Sequence, residues 1–360
     1  MNFSFKIQKI RSLLKENNLS AFLFTSPANV FYLSGFKSSN AYIIITQEEN
    51  LFITDARYFE KAKKELKNWD VILIESPFFK FLKKLFKKLH IKTLGYEKDH
   101  ITYEFKEKLR TKGIKLIGFS QFLKNLRLIK TPEEIKIIKE GIKKTDEAYR
   151  KILNLIKPGL SELELRGYLV FEFFKLGASG ESFPAIIATA ENSAIPHWET
   201  STQKIKNNAP LLIDMGLLWK GYCTDFTRTI FIGRPEKTFK KLYEIVKSAW
   251  FKGFEKAKEG NPVTLIDKTI RDYFKDKGVD KFFIHATGHG VGIEIHEPPK
   301  IYYDSFSKKK EETIKNGMVF TIEPGLYFPN KFGIRIENIV IIENGRGEIY
   351  SEIPLDLQII

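Results

Sequence analysis

The groups in this 360-residue chain best suited to chemistry are carboxylates placed at the ends of apolar runs. The segment LLIDMGLLWKGYCTDFTR (211–228) carries an apolar run into Asp214, turns near Lys220-Gly221 and returns to Asp225. Further along, MVFTIEPGLYFPNKFGIRIEN (318–338) repeats the plan: Gly325 follows Glu323 by two residues as Gly216 follows Asp214, and Glu337 follows Gly333 by four as Asp225 follows Gly221. Two such hairpins suggest a duplicated half-site. An ionised carboxylate in an apolar setting is costly unless a cation or a dense set of donors compensates it, so four of them require much positive charge. Between the hairpins HATGHGVGIEIHEPP (285–299) supplies His285, His289 and His296, half of the 6 histidines in the chain. Four carboxylates and one neutral imidazole balance two divalent ions in charge. Such an oxygen-rich, thiolate-free set suits manganese, cobalt, iron or zinc.

The ordered set Asp214, Asp225, His289 in GHGVG, Glu323 in TIEPG and Glu337 in GIRIEN resembles the ligand signature of the dinuclear pita-bread metallopeptidases. This is the family of prolidase, aminopeptidase P and methionine aminopeptidase. The likeness runs from about Arg127 to the C-terminus; Asn338 stands where many relatives have Asp, next to a ligand position rather than at one. The resemblance implies two divalent ions per subunit, manganese first and cobalt, zinc or iron as alternatives, roughly 3.5 to 4 Å apart and sharing one hydroxide. It makes Glu323 both ligand and proton shuttle, and His296 the donor to the substrate carbonyl or its oxyanion, a contact worth a few kcal/mol in a transition state. His197, after Pro196, matches a second histidine facing the substrate. Arg335 shares a strand face with Glu337 and is read as steadying a ligating carboxylate on the substrate side. His285 is given a supporting place behind the ligands. Lys300, held by Pro298 and Pro299, is placed where it would meet the terminal carboxylate of a dipeptide, as basic residues do in relatives of the bacterial prolidase type. The implied reaction is hydrolysis of the bond between an amino-terminal residue and proline, by an Xaa-Pro dipeptidase or Xaa-Pro aminopeptidase acting as a homodimer.

These groups need two sets of elements to hold them. Residues 1–125 alternate strand and helix patterns: strands at AFLFT, AYIIIT, LFITD, VILIE and IKLIG, and helices before Asn18 and over 56–66, 77–89 and 103–112. The stretches SPANVFYLSGF and TDARY resemble signature turns of the creatinase-like α/β domain that precedes the catalytic domain in prolidases and aminopeptidases P and is missing from methionine aminopeptidases. The catalytic domain is expected over 126–360, giving an α/β (α+β) chain whose second domain has pseudo-twofold halves. Thr131-Pro132-Glu133-Glu134 supplies an N-cap, a proline at the first helical position and a Glu three residues in, opening a helix to about 156. Ser161 and Glu164 open a second helix to about 176, a buried strand is expected over 182–188, and further helices over 236–258 and 264–277.

Length and composition fit two domains with sizeable cores. The chain is 43% hydrophobic and 29% charged. With no run of apolar residues long enough to span a bilayer and no leader-like segment, the expectation is a cytoplasmic protein, and a single Cys223 excludes an internal disulfide framework. The net charge of +15 raises nucleic acid or an anionic membrane as partners. The lysines are dispersed, however. Their densest run, FFKFLKKLFKKLH (78–90), sets its apolar residues at helical spacing, as a helix packed on a sheet requires. Neither nucleic acid nor membrane is therefore expected as a partner. A non-catalytic pita-bread binding protein is the alternative function, and a basic nucleic-acid-associated protein a more distant one.

Overall fold

A computed structural model describes residues 3–304 and 311–360. The chain forms two compact units, Met1–Leu126 and Arg127–Ile360. In the first, six strands form one mixed sheet in the order Asp70–Leu73, Asn50–Thr54, Ala41–Thr46, Ala21–Phe24, Thr93–Glu97 and Lys115–Phe119. The last three run parallel to one another. Helix Phe78–Lys88 buries Phe81, Leu82, Leu85 and Phe86 in the core of this unit, against Leu23, Ile44, Ile53 and Leu94. The apolar face of the lysine-rich run is thus spent on internal packing.

Two local readings need correction. SPANVFYLSGF is no turn: Pro27–Ser34 is a helix, closed by Gly35 at φ 71°, where only a residue without a Cβ sits unstrained. Thr93–Glu97 is a strand that periodicity did not reveal, because TLGYE carries a Gly and ends on a Glu. Glu97 is nevertheless buried, accepting from the backbone N–H groups of Thr25 (2.6 Å) and Ser26 (2.7 Å) and from Asn29 Nδ2 (2.5 Å), so donors rather than apolar pattern stabilise the strand end.

The second unit is built twice over. In its first half, helices Pro132–Leu153 and Glu162–Lys175 cover a three-stranded sheet, Phe226–Ile232, Ala209–Met215 and Ile186–Thr189. Both helices open with the capping boxes read from Thr131/Glu134 and Ser161/Glu164. The strand expected over 182–188 is shorter and later than its pattern suggested. Before Ile186 only an isolated bridge, Glu181 to Leu217, continues the pairing, while Ser182 Oγ donates to Thr224 O at 2.8 Å and Glu181 accepts from Ala185 N at 2.8 Å. In the second half, helices Lys237–Phe254 and Thr264–Asp276 cover a five-stranded sheet containing Gly288–Gly290, Val319–Ile322 and Asn338–Glu343.

Each half has its own core, one around Leu165, Leu211, Ile213 and Phe226, the other around Trp250, Ile270, Phe320, Ile322 and Val340. The halves meet where Thr227 pairs with Glu337 in an isolated bridge, Glu337 N donating to Thr227 O at 3.1 Å. This is the expected α/β unit followed by a unit of two α/β halves. Among the described residues no helix is long and apolar enough to cross a membrane.

Candidate metal centre

Strand ends bring the acidic residues together. Asp214 lies near the end of Ala209–Met215, and Asp225 just precedes Phe226–Ile232, its antiparallel partner. Glu323 follows Val319–Ile322, and Glu337 precedes Asn338–Glu343, in register with Ile322 paired to Asn338. His289 sits in the middle of Gly288–Gly290, at a break in register opposite Glu297–Ile301. Burying a strand end normally removes polar groups; here it concentrates them. Atoms of Asp225, His289 and Glu337 that could ligate an ion all lie within 4.8 Å of one another. His289 Nε2 is 3.4 Å from Asp225 Oδ2 and 3.5 Å from Glu323 Oε1.

The hydrogen positions explain why this cluster requires a cation. His289 Nδ1 lies 3.1 Å from Gly290 O, and a carbonyl only accepts, so Nδ1 carries the proton and the Nε2 lone pair faces two carboxylates. Protonating the ring as well is no remedy, since burial, with His296 adding to it, pushes its pKa down to about 4. Burial also raises Asp225 and Glu323 well above the usual carboxylate range, with Glu337 the largest charge acting on each. Glu337 rises to about 8, through burial and then the charge of Asp214. Among the described residues, Asp214 Oδ1 is buried without a hydrogen-bond partner. Converging acceptors and an orphaned oxygen are what a divalent cation satisfies, so the donor set fits a metal.

Arg335 is the cation that the chain itself supplies. Its Nη2 contacts Asp214 Oδ2, Nη1 donates to Tyr327 Oη at 2.7 Å and Pro196 O at 3.3 Å, and Nε donates to Thr227 Oγ1 at 3.3 Å. Burial works against its charge, but Tyr327, Asp214 and Glu323 outweigh that and raise its pKa well above the ordinary value. Tyr327 in turn meets His285 Nε2 at 2.9 Å, and His285 Nδ1 donates to Ala286 O at 2.7 Å. Burial, with Arg335 next, lowers His285 to about 3, so that ring is neutral and its Nε2 accepts a hydrogen bond from the Tyr327 hydroxyl.

His296 and His197 stand at the exposed rim. The His296 ring lies edge-on to His289 with centroids 4.2 Å apart. Its pKa is lowered by burial and then by the nearby His197. Lys300 is exposed, with its ammonium 4.6 Å from the Tyr302 ring centroid. Cys223 is buried, its N–H donating to Gly292 O at 2.7 Å. Reading the sequence missed Thr227, whose Oγ1 donates to Glu337 Oε2 at 2.6 Å, and Tyr327. Thr227 lies two residues after Asp225 on the same strand face, and that spacing was the available signal.

Buried paired carboxylates, an imidazole able to ligate an ion and two exposed histidines on a doubled α/β frame are the groups of a metal-dependent hydrolase. The chain belongs to metallopeptidase family M24, whose profile matches residues 136–344, and the creatinase/prolidase N-terminal domain matches residues 6–129. It is 36% identical over 347 residues to a Xaa-Pro dipeptidase of Pyrococcus furiosus, covering 94% of this chain and 96% of that one. A solved Xaa-Pro dipeptidase from Bacillus anthracis superposes with a TM-score of 0.94 at 35% identity, covering 100% of both chains. An X-Pro aminopeptidase from Thermotoga maritima gives a TM-score of 0.90 at 31% identity, covering 99% of this chain and 100% of that one.

Proposed function

We propose that this protein is a cytoplasmic, homodimeric metallo-exopeptidase that hydrolyses the Xaa-Pro bond at the amino terminus of dipeptides or short peptides. The observation that carries this reading is the convergence of the His289 Nε2 lone pair on the carboxyl groups of Asp225 and Glu323. Asp214, Asp225, His289, Glu323 and Glu337 would hold two divalent ions, manganese by preference, with cobalt, zinc or iron able to replace it. When bound, the ions acidify water and polarise the scissile carbonyl. Glu323, which remains partly open at 17% side-chain exposure, takes the proton of the attacking water and returns it to the departing proline nitrogen.

His296 donates to the carbonyl oxygen as negative charge develops there. His197 contacts the same substrate from the opposite loop. Arg335 holds Asp214 in place, with Tyr327 and His285 behind it. A bond to proline is a tertiary amide with no N–H, so a site that works on the carbonyl side loses nothing to it. Lys300 is the group assigned to the free carboxylate of a dipeptide, and the sequence division at 125/126 separates the creatinase-like domain from the catalytic one. A non-catalytic binding role is not favoured, because every ligand position carries a ligating side chain.

The test is hydrolysis of an Xaa-Pro dipeptide against an Xaa-Pro tripeptide by stripped protein given manganese, cobalt or zinc. Restored cleavage of the Xaa-Pro bond is expected. Failure of every ion to restore cleavage of either peptide refutes the reading.

A further inference from the structure

Glu162 has no place in the chemistry described so far, yet it is 0% exposed and, among the described residues, no cation pairs with it. Its carboxylate accepts from Thr189 N (2.9 Å), Asn192 Nδ2 (2.8 Å), Trp198 Nε1 (2.9 Å), Ser201 N (3.1 Å) and Ser201 Oγ (2.8 Å). Every one of these donors belongs to the segment 189–201, and His197 lies within it, next to the Trp198 indole. The segment has little regular structure of its own, only the short turn Ala190–Ala194. Its opposite side is fixed to the centre: Gly333 N donates to Ser193 Oγ at 2.8 Å, and Pro196 O accepts from Arg335 Nη1 at 3.3 Å. A Cβ at Gly333 would collide with Ser193 O, so the approach there is already as close as the backbone allows.

We infer that Glu162 is a positioning residue for His197: by gathering both flanks of the loop onto one carboxylate, it fixes where that imidazole stands relative to the metal ligands and His296. A buried carboxylate is costly unless donors satisfy it, and a residue retained only for packing would not need to be charged. Satisfied by donors from both flanks of one loop, it stiffens the stretch between Thr189 and Ser201 that the turn alone leaves unsupported. Misplacing a substrate-binding group by about 1 Å can cost on the order of a hundredfold in rate. This assignment rests on the peptidase reading above.

The test is a double-mutant cycle on the metal-loaded enzyme with an Xaa-Pro dipeptide, using Glu162→Gln and His197→Ala. Glutamine keeps the shape but turns an amide against donors. Glu162→Gln should lower kcat by about tenfold with bound metal unchanged, and by less than about twofold once His197 is already alanine. Trp198→Phe removes one of the donors with little change of shape; it serves if Glu162→Gln does not fold, and should show the same dependence on His197. Equal losses from Glu162→Gln or Trp198→Phe with and without His197 would show general destabilisation and overturn the assignment. A fully active His197→Ala would also overturn it while leaving the peptidase reading intact. If the wild-type enzyme cleaves only the tripeptide the cycle is run on that substrate, and if it cleaves neither peptide both fall together.

Discussion

Removing the metal should invert the pH dependence of stability in the catalytic unit. In the ion-free fold Glu337 is 2% exposed and its pKa moves from 4.5 up to about 8 through burial and Asp214. A carboxyl group whose folded pKa is raised binds its proton more tightly in the native state than in the unfolded one. It therefore costs nothing below its unfolded pKa, and its penalty accumulates as pH rises toward the folded value. For Glu337 alone, that displacement corresponds to about 5 kcal/mol at about 1.4 kcal/mol per pH unit. Asp225 and Glu323 are raised in the same direction by burial and by Glu337. About 3.5 kcal/mol of the Glu337 penalty falls between about pH 5 and about pH 8, and since about 1 kcal/mol moves Tm by about 2 to 4 °C in a domain of this size, stripped protein should lose about 7 to 14 °C over that interval from Glu337 alone. Metal-loaded protein should not, because binding the ion requires these ligands deprotonated. The assay is thermal unfolding across that range with and without manganese. Calorimetric titration of manganese near neutral pH, in buffers of different ionisation enthalpy, should also report proton release. A stripped protein whose Tm is flat or rising over this interval would refute the assignment of these carboxylates to one mutually repelling cluster.

Glu337→Ala and Asp225→Ala should each leave a folded protein that has lost its activity and at least one equivalent of metal by elemental analysis; full activity with metal missing would show the wrong pair of ligands. His296→Ala should lower kcat far more than it raises KM, because its contact strengthens in the transition state, and metal content should stay unchanged. If metal is lost while turnover per bound ion is kept, His296 is a ligand. Lys300→Ala should weaken dipeptide hydrolysis about tenfold, about 1.4 kcal/mol, and leave tripeptides nearly untouched; the side chain is exposed, with its ammonium over the Tyr302 ring. Equal effects on both peptides would remove it from the site.

The acidic residues stood out in the sequence because their cost beside apolar strands is local: Asp214, Glu323 and Glu337 each interrupt an apolar run, and Asp225 stands across the hairpin from Asp214. Both capping boxes were equally visible, since their partners lie three residues apart. The groups that escaped notice depend on distant partners. Asp267 looks like one more acid on an amphipathic helix, but it accepts from Thr287 N at 3.1 Å, Thr287 Oγ1 at 2.6 Å and Tyr303 N at 2.8 Å, tethering the strand entry that leads to His289. Glu162 reads as a first-turn carboxylate favoured by the helix dipole, and only the fold turns a loop toward it. The strand at Thr93–Glu97 was lost for the same reason: its end is stabilised by Thr25, Ser26 and Asn29, which lie far away along the chain. Short-range patterns carry capping and periodicity, whereas the satisfaction of buried polar groups is settled between elements.

The bridge between Thr227 and Glu337 has a consequence for how the catalytic unit comes apart. Each half has its own core, joined where Phe231 of the first packs on Phe239 of the second, and each carries only two of the four carboxylates, so neither half alone can hold the complete centre. A divalent ion bound there would be a further staple across a seam that Arg228, Thr229 and Arg335 also close. Opening that seam would break coordination as Phe231 leaves the second half's core, so metal release becomes an early event of unfolding, not its aftermath. Amide exchange along Phe226–Ile232 and Asn338–Glu343 should then slow when metal is added, while strands deep in either core keep their rates.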